Sequence, residues 1–174
     1  MQANSSTYVQ SASKFGFISV FLALGMLLGA CSTTPVSQTP VSFADASDEP
    51  LPEWAHEVTI YAISLVGTPY RYGGNTPEAG FDCSGLIGYV YQTRGAMSLP
   101  RTVARLQDVG KPVGAQSLRS GDLVVFGRQG NATHAGIYVG EGRFVHAPST
   151  GGEVRLDRLN SRYWSNQQVV YRRL

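Results

Sequence analysis

Apolar and polar positions along the 174-residue chain fall into four patterns. Lys14 precedes a predominantly apolar run, Phe15 to Leu28, with polar residues before it and small ones after. That is the layout of a secretory signal over residues 1–30, and the run is shorter than the ~20 residues a membrane-spanning helix needs. Residues 31–52 are rich in Ser, Thr, Pro, Val and Asp with no apolar period, and read as a flexible tether. From Glu53 the pattern becomes helical. Trp54, Val58, Tyr61, Ala62 and Leu65 share one face, and Gly67 stops the run. A glycine-rich loop from Gly67 to Asp82 leads to a second predicted helix, Cys83 to Arg94, capped by Asp82 and closed before Gly95. Leu86, Tyr89 and Val90 are its expected core residues, and a third helix is predicted over Thr102–Val109. Past Gly110 the period shortens to that of strands, predicted at Asp122–Phe126, Ala135–Val139, Arg143–His146, Glu153–Leu156 and Val169–Arg172. Helices first and antiparallel strands afterwards predict an α+β domain over residues 53–174, with the helices packed on one side of a small antiparallel β-sheet.

Composition adds material for a core: nine Tyr, seven Phe and two Trp. The formal charge of +2 is too small to suggest a nucleic-acid partner. Every basic residue except Lys14 lies from Arg71 onward, and nearly all are Arg. A mildly basic C-terminal part suits an anionic polymer or is simply a solvated surface.

The end of the first apolar run changes the picture. Leu28-Gly29-Ala30-Cys31 resembles a bacterial lipobox, in which signal peptidase cuts before a cysteine whose thiol is joined to diacylglycerol. Small residues before the cysteine let the backbone enter a protease cleft. Acyl chains, palmitate among them, then anchor the chain, each buried methylene contributing ~0.8 kcal/mol. The resemblance implies that Ser32, in place of Asp, directs the lipoprotein to the outer membrane. The alternative is a plain secreted protein in which Cys31 falls there by chance.

The chain has two cysteines, Cys31 and Cys83. With Cys31 lipidated, Cys83 has no intramolecular partner in a compartment that favours disulfides. Its thiol is then either buried and inert or kept for reactivity. Cys83 opens a predicted helix behind Asp82, where unpaired amides and the helix dipole favour a thiolate and can hold an oxyanion. Those amides predict a thiol pKa below the usual ~8.5, dependent on a neighbouring imidazole. Of three histidines, His56 reads as solvated. His134 begins a strand and His146 ends the next, and a hairpin through Gly140-Glu141-Gly142 brings both to one sheet edge. This is a chain of thiol, base and orienting group. Zinc held by Cys83, His134 and His146 is the competing reading, but no close-spaced ligand pair anchors it.

Several segments then carry a family resemblance, in order: Gly67-Thr68-Pro69-Tyr70-Arg71-Tyr72-Gly73-Gly74, Phe81-Asp82-Cys83-Ser84-Gly85-Leu86, Leu99-Pro100-Arg101-Thr102, Ser120-Gly121-Asp122-Leu123, His134-Ala135-Gly136-Ile137-Tyr138 and Phe144-Val145-His146-Ala147. From Trp54 to Leu174 the chain resembles the NlpC-type cell-wall cysteine peptidases, which have a papain-like fold. The resemblance implies Cys83 as nucleophile, His134 as base and His146 as the group that orients it. It implies Tyr70 beside the oxyanion, or else packed as a loop aromatic. Asp82 and Ser84 match positions near the substrate amine or nucleophile, and Asp82 is equally an N-cap. No cofactor or metal is implied. The implied partner is peptidoglycan, reached from a lipid anchor in the outer membrane and facing the periplasm of a Gram-negative bacterium. No protein partner is implied. The implied bond is the D-alanyl–diaminopimelate cross-link, cut by a D,D-endopeptidase. The alternatives are the γ-D-glutamyl–diaminopimelate bond, an acyltransferase, or a non-catalytic wall-binding lipoprotein of the same fold.

Overall fold

The computed structural model describes residues 50–174. The expected signal peptide, the lipidation site Cys31 and the tether up to residue 49 lie outside the described residues. Among the described residues no helix is long and apolar enough to cross a membrane.

Helix α1 spans Glu53–Ser64 and buries Ala55, Val58 and Ala62. The chain then turns through Gly67, whose φ of 94° suits glycine. A loop follows that contains the two-residue strands β1 (Asn75–Thr76) and β2 (Gly80–Phe81). Helix α2 spans Cys83–Arg94, with Asp82 as N-cap and Gly95 as C-cap, the bounds its sequence predicts. Its inward face is Leu86, Ile87, Val90 and Tyr91. Tyr91, rather than the predicted Tyr89, is fully buried, and its hydroxyl donates to the Gly121 carbonyl. The third helix, α3, is one turn, Val103–Leu106, shorter than expected.

Six strands form one antiparallel sheet. They are β3 (Lys111–Val113), β4 (Leu123–Arg128), β5 (Asn131–Gly140), β6 (Arg143–His146), β7 (Arg155–Arg158) and β8 (Gln168–Arg173). Their spatial order is β3-β8-β4-β5-β6-β7. Period-2 alternation sends Leu123 and Val125 of β4 into a core shared with α1 and α2, and Val124 and Phe126 into a second core around Trp164. With both faces covered, β4 reads as a continuous apolar run. The α+β class and the helices on one face of the sheet are as the sequence predicts. Strand β3 has no counterpart among the predicted strands, and two of the predicted ones depart from expectation near the site. Strand β5 starts at Asn131, so His134 lies within it, and Thr133 is the extra residue of a bulge opposite Phe126 and Gly127. Strand β7 starts at Arg155, two residues later than predicted, and so includes Asp157.

Candidate active site

Cys83 is the first residue of α2 and carries a free thiol. The sequence seats it there through Asp82. One carboxylate oxygen accepts from Gly85 N at 2.6 Å, which caps the helix, and the other accepts from Gly73 N at 2.9 Å. The second bond ties the glycine-rich loop to the helix start. Arg101 reinforces it, 3.7 Å from Asp82 and 3.3 Å from the Gly73 carbonyl. The loop comes so close that a Cβ on Gly85 would lie 1.9 Å from the Gly74 carbonyl oxygen. Hence the loop and the first turn of α2 meet at glycine.

Asp82 thus holds Gly85, and the backbone amides of Ser84, Cys83 and, from strand β5, Ala135 point to the sulfur. These amides pull the thiol pKa down. Burial, and then the Asp82 carboxylate, push it up more strongly, so the net shift is upward. The expectation of a lowered thiol pKa is corrected on this point: the helix start supplies amide hydrogens, but burial outweighs them.

Ala135 follows His134 on β5, so the strand that carries the imidazole also sends an amide to the thiol. His134 Nε2 lies 2.9 Å from His146 Nδ1. The hairpin predicted to join these strands does so, pairing Ile137 with Val145 and Tyr138 with Phe144. Gly136 makes the room, since a Cβ there would lie 2.7 Å from the Phe144 ring and 3.2 Å from His146 Cβ. His146 is fully buried, and its Nε2 lies 3.0 Å from Asp157 Oδ2, off the line of a straight hydrogen bond. The same oxygen accepts from Trp164 Nε1 at 2.8 Å and Arg155 Nη2 at 2.9 Å. The Trp164 ring stacks on His134 with centroids 5.4 Å apart.

Both imidazoles are neutral at ordinary pH. Burial, then His146 and Arg155, hold His134 at about 3, against the pull of Asp157. Burial likewise lowers His146, to about 4, although the Asp157 charge and hydrogen bond oppose it. Partial burial pushes Asp157 up, but Trp164, Arg155 and His146 outweigh it, and the net shift is downward.

The chain is similar to known proteins in sequence and in fold. The sequence pattern of the NlpC/P60 family matches residues 67–173. The chain belongs to the NlpC/P60 family. It is 41% identical over 116 residues to the murein DD-endopeptidase MepH of Escherichia coli, covering 64% of this chain and 43% of that protein. It is 41% identical over 114 residues to the gamma-DL-glutamyl hydrolase of Bacillus subtilis, of which it covers 27%. To the E. coli murein DD-endopeptidase MepS/murein LD-carboxypeptidase it is 30% identical over 169 residues, covering 88% of this chain and 89% of that one. The chain therefore spans less than half the length of the first two relatives and nearly all of the third. Among solved structures it is similar to the NlpC/P60 domain of the peptidoglycan hydrolase SagA, with a TM-score of 0.59 and 28% identity over 67% of this chain and 96% of that one.

Within this NlpC/P60 domain the other expected residues take distinct places. Tyr70 is part-buried beside the site: burial, then Cys83 and Asp82, raise its hydroxyl pKa. Ser84 is buried, its hydroxyl 2.9 Å from both Asp82 Oδ1 and the Arg101 carbonyl. The hydrogen bonds of Ser84, like those of Asp82, are with the protein and shape the loop, and the Asp82 charge also acts on Cys83 and Tyr70. Among the described residues, no group of three His, Cys, Asp or Glu is placed to hold a metal ion. Asp157, Trp164, Arg155 and Arg101 were not singled out by sequence as parts of the site. Arg101 sits inside a matching motif, which is the one signal that could have found it.

Proposed function

We propose that the chain is a cysteine peptidase that hydrolyses peptidoglycan, with Cys83 as nucleophile, His134 as base and His146 as its orienting partner. The observation that carries this reading is the juxtaposition of a helix-opening thiol, the Ala135 amide and the His134–His146 pair at 2.9 Å. With Nε2 of His134 facing His146, Nδ1 is the nitrogen left to receive the thiol proton. As that proton leaves, Sγ attacks the scissile carbonyl and the C=O electron pair moves onto oxygen. The Cys83 and Ser84 amides at the helix start are donors suited to that oxyanion. The imidazolium then gives its proton to the amide nitrogen, the C–N bond breaks, and a thioester and a free amine result. Water attacks the thioester with His134 again as base, and the thiol is restored. Proximity supplies the rest: a neutral thiol and a neutral imidazole react as a pair only when held together.

The finer reading is a D,D-endopeptidase on D-alanyl–diaminopimelate cross-links. Two of the three relatives described are named murein DD-endopeptidases, and MepS shares nearly the whole chain length. The chain would act as a lipoprotein anchored through Cys31 in the outer membrane, a reading supported by the Leu28-Gly29-Ala30-Cys31 motif. Digestion of purified murein followed by mass spectrometry tests the bond. The expected result is loss of cross-linked dimers with new D-alanine carboxyl termini. Cleavage at γ-D-glutamyl–diaminopimelate instead would overturn the finer reading and leave the hydrolase reading intact.

A further inference from the structure

His134 and His146 do not end the chain of polar groups. Past His146 lies a carboxylate that the reaction written above does not use. Asp157 sits on β7, opposite Phe144 of β6, and its Oδ2 is 3.0 Å from His146 Nε2. That nitrogen is fully buried, its contact with Asp157 is close but not straight, and among the described residues it makes no hydrogen bond to another group, so a proton on it needs this acceptor. Two donors hold the same oxygen from other elements, the Trp164 indole and the Arg155 guanidinium. Trp164 serves twice, because its ring also stacks on His134.

Resting on the reading of His134 as base, we propose that Asp157 is a positioning residue for catalysis, the terminal acceptor of a relay Cys83–His134–His146–Asp157 that fixes the tautomers of both imidazoles. The proton logic is strict. Asp157 accepts and cannot donate when ionised, so His146 carries its proton on Nε2 and presents a bare Nδ1. That bare Nδ1 accepts from His134, which must carry its proton on Nε2. His134 Nδ1 is therefore bare and ready for the thiol proton. When His134 takes that proton, the added positive charge faces a polarised imidazole backed by a carboxylate. Trp164 and Arg155 keep Asp157 ionised and stop it from rotating away. A plain surface ion pair between Arg155 and Asp157 would be worth little and would not affect chemistry.

The test uses the whole chain labelled with ¹⁵N-histidine, and a soluble cross-linked dimeric muropeptide as substrate. In the wild type, two-bond ¹H–¹⁵N spectra at neutral pH should show both His134 and His146 as Nε2–H tautomers. A wild-type His146 carrying its proton on Nδ1 overturns the proposal without any variant. In D157N, which keeps shape and loses charge, kcat should fall about 10- to 100-fold with KM within about twofold. D157A, which removes the acceptor, should also shift His146 towards the Nδ1–H tautomer, and D157E should recover part of the rate. Wild-type kcat in D157N with unchanged tautomers would refute the relay. Failure of the underlying reading looks different: the wild type itself would then release no product from the dimer.

Discussion

At the residue scale the reactive group is less charged at rest than its position suggests. A helix start lowers a thiol pKa by dipole and amide hydrogens, yet Cys83 is also enclosed and faces the Asp82 carboxylate, and these raise it. Burial meanwhile holds His134 at about 3. With the thiol shifted upward and the imidazole downward, the resting pair is thiol and imidazole, not thiolate and imidazolium. Deprotonation of Cys83 then belongs to the attack itself. Alkylation of Cys83 by iodoacetamide should accordingly be slow at pH 6–7 and rise only above the usual thiol range of ~8.5. The sign follows from the shift: a raised thiol pKa moves the thiolate to higher pH, and a lowered imidazole pKa leaves no imidazolium to favour it. A fast alkylation plateau at pH 5–6 that disappears in H134A would contradict this.

At the element scale, the parts written in local chemistry were the legible ones. Asp82 and Gly95 mark both ends of α2, and the Gly140–Gly142 turn marks the β5–β6 hairpin, because a cap and a tight turn are each decided by a few neighbouring residues. The positions of Cys83 at the start of α2 and of His134 and His146 on the hairpin strands were legible for that reason. Elements whose identity depends on distant partners were hidden. Strand β3 contains Lys111 and Pro112 and looks like loop, yet it pairs with β8 at the sheet edge, where proline is tolerated. Strand β7 starts two residues later than predicted, and Asp157 lies just past the end of the predicted strand Glu153–Leu156. Its meaning depends on β6 running beside it and on Trp164 folding back, and neither contact has a local signature. The bulge at Thr133 is of the same kind, since only the register with β4 reveals it.

At the scale of the molecule, the helical layer supplies the thiol, the sheet supplies His134, His146, Arg155 and Asp157, and Trp164 comes from the turn before β8. The shared core of α1, α2, β4 and β5 holds the two halves of the site against each other. The class of fold was legible because helical spacing precedes strand spacing in the chain, whereas the strand order was not, because β8 comes last and inserts between β3 and β4. The lipid anchor would place this domain on a membrane surface beside a polymer. Metabolic labelling should attach palmitate to the chain, and C31A should lose the label. Unlabelled wild-type chain, or C31A that keeps the label, would contradict the anchor.

Whether Cys83 carries out amide hydrolysis on peptidoglycan is decided by comparing wild type with C83A on purified murein, by the rate at which new peptide termini appear. Both proteins should show the same thermal transition, and C83A should lose at least ~10³-fold in rate, because the proposed thioester forms on the Cys83 sulfur. Hydrolysis by C83A at a rate near that of the wild type would contradict the account.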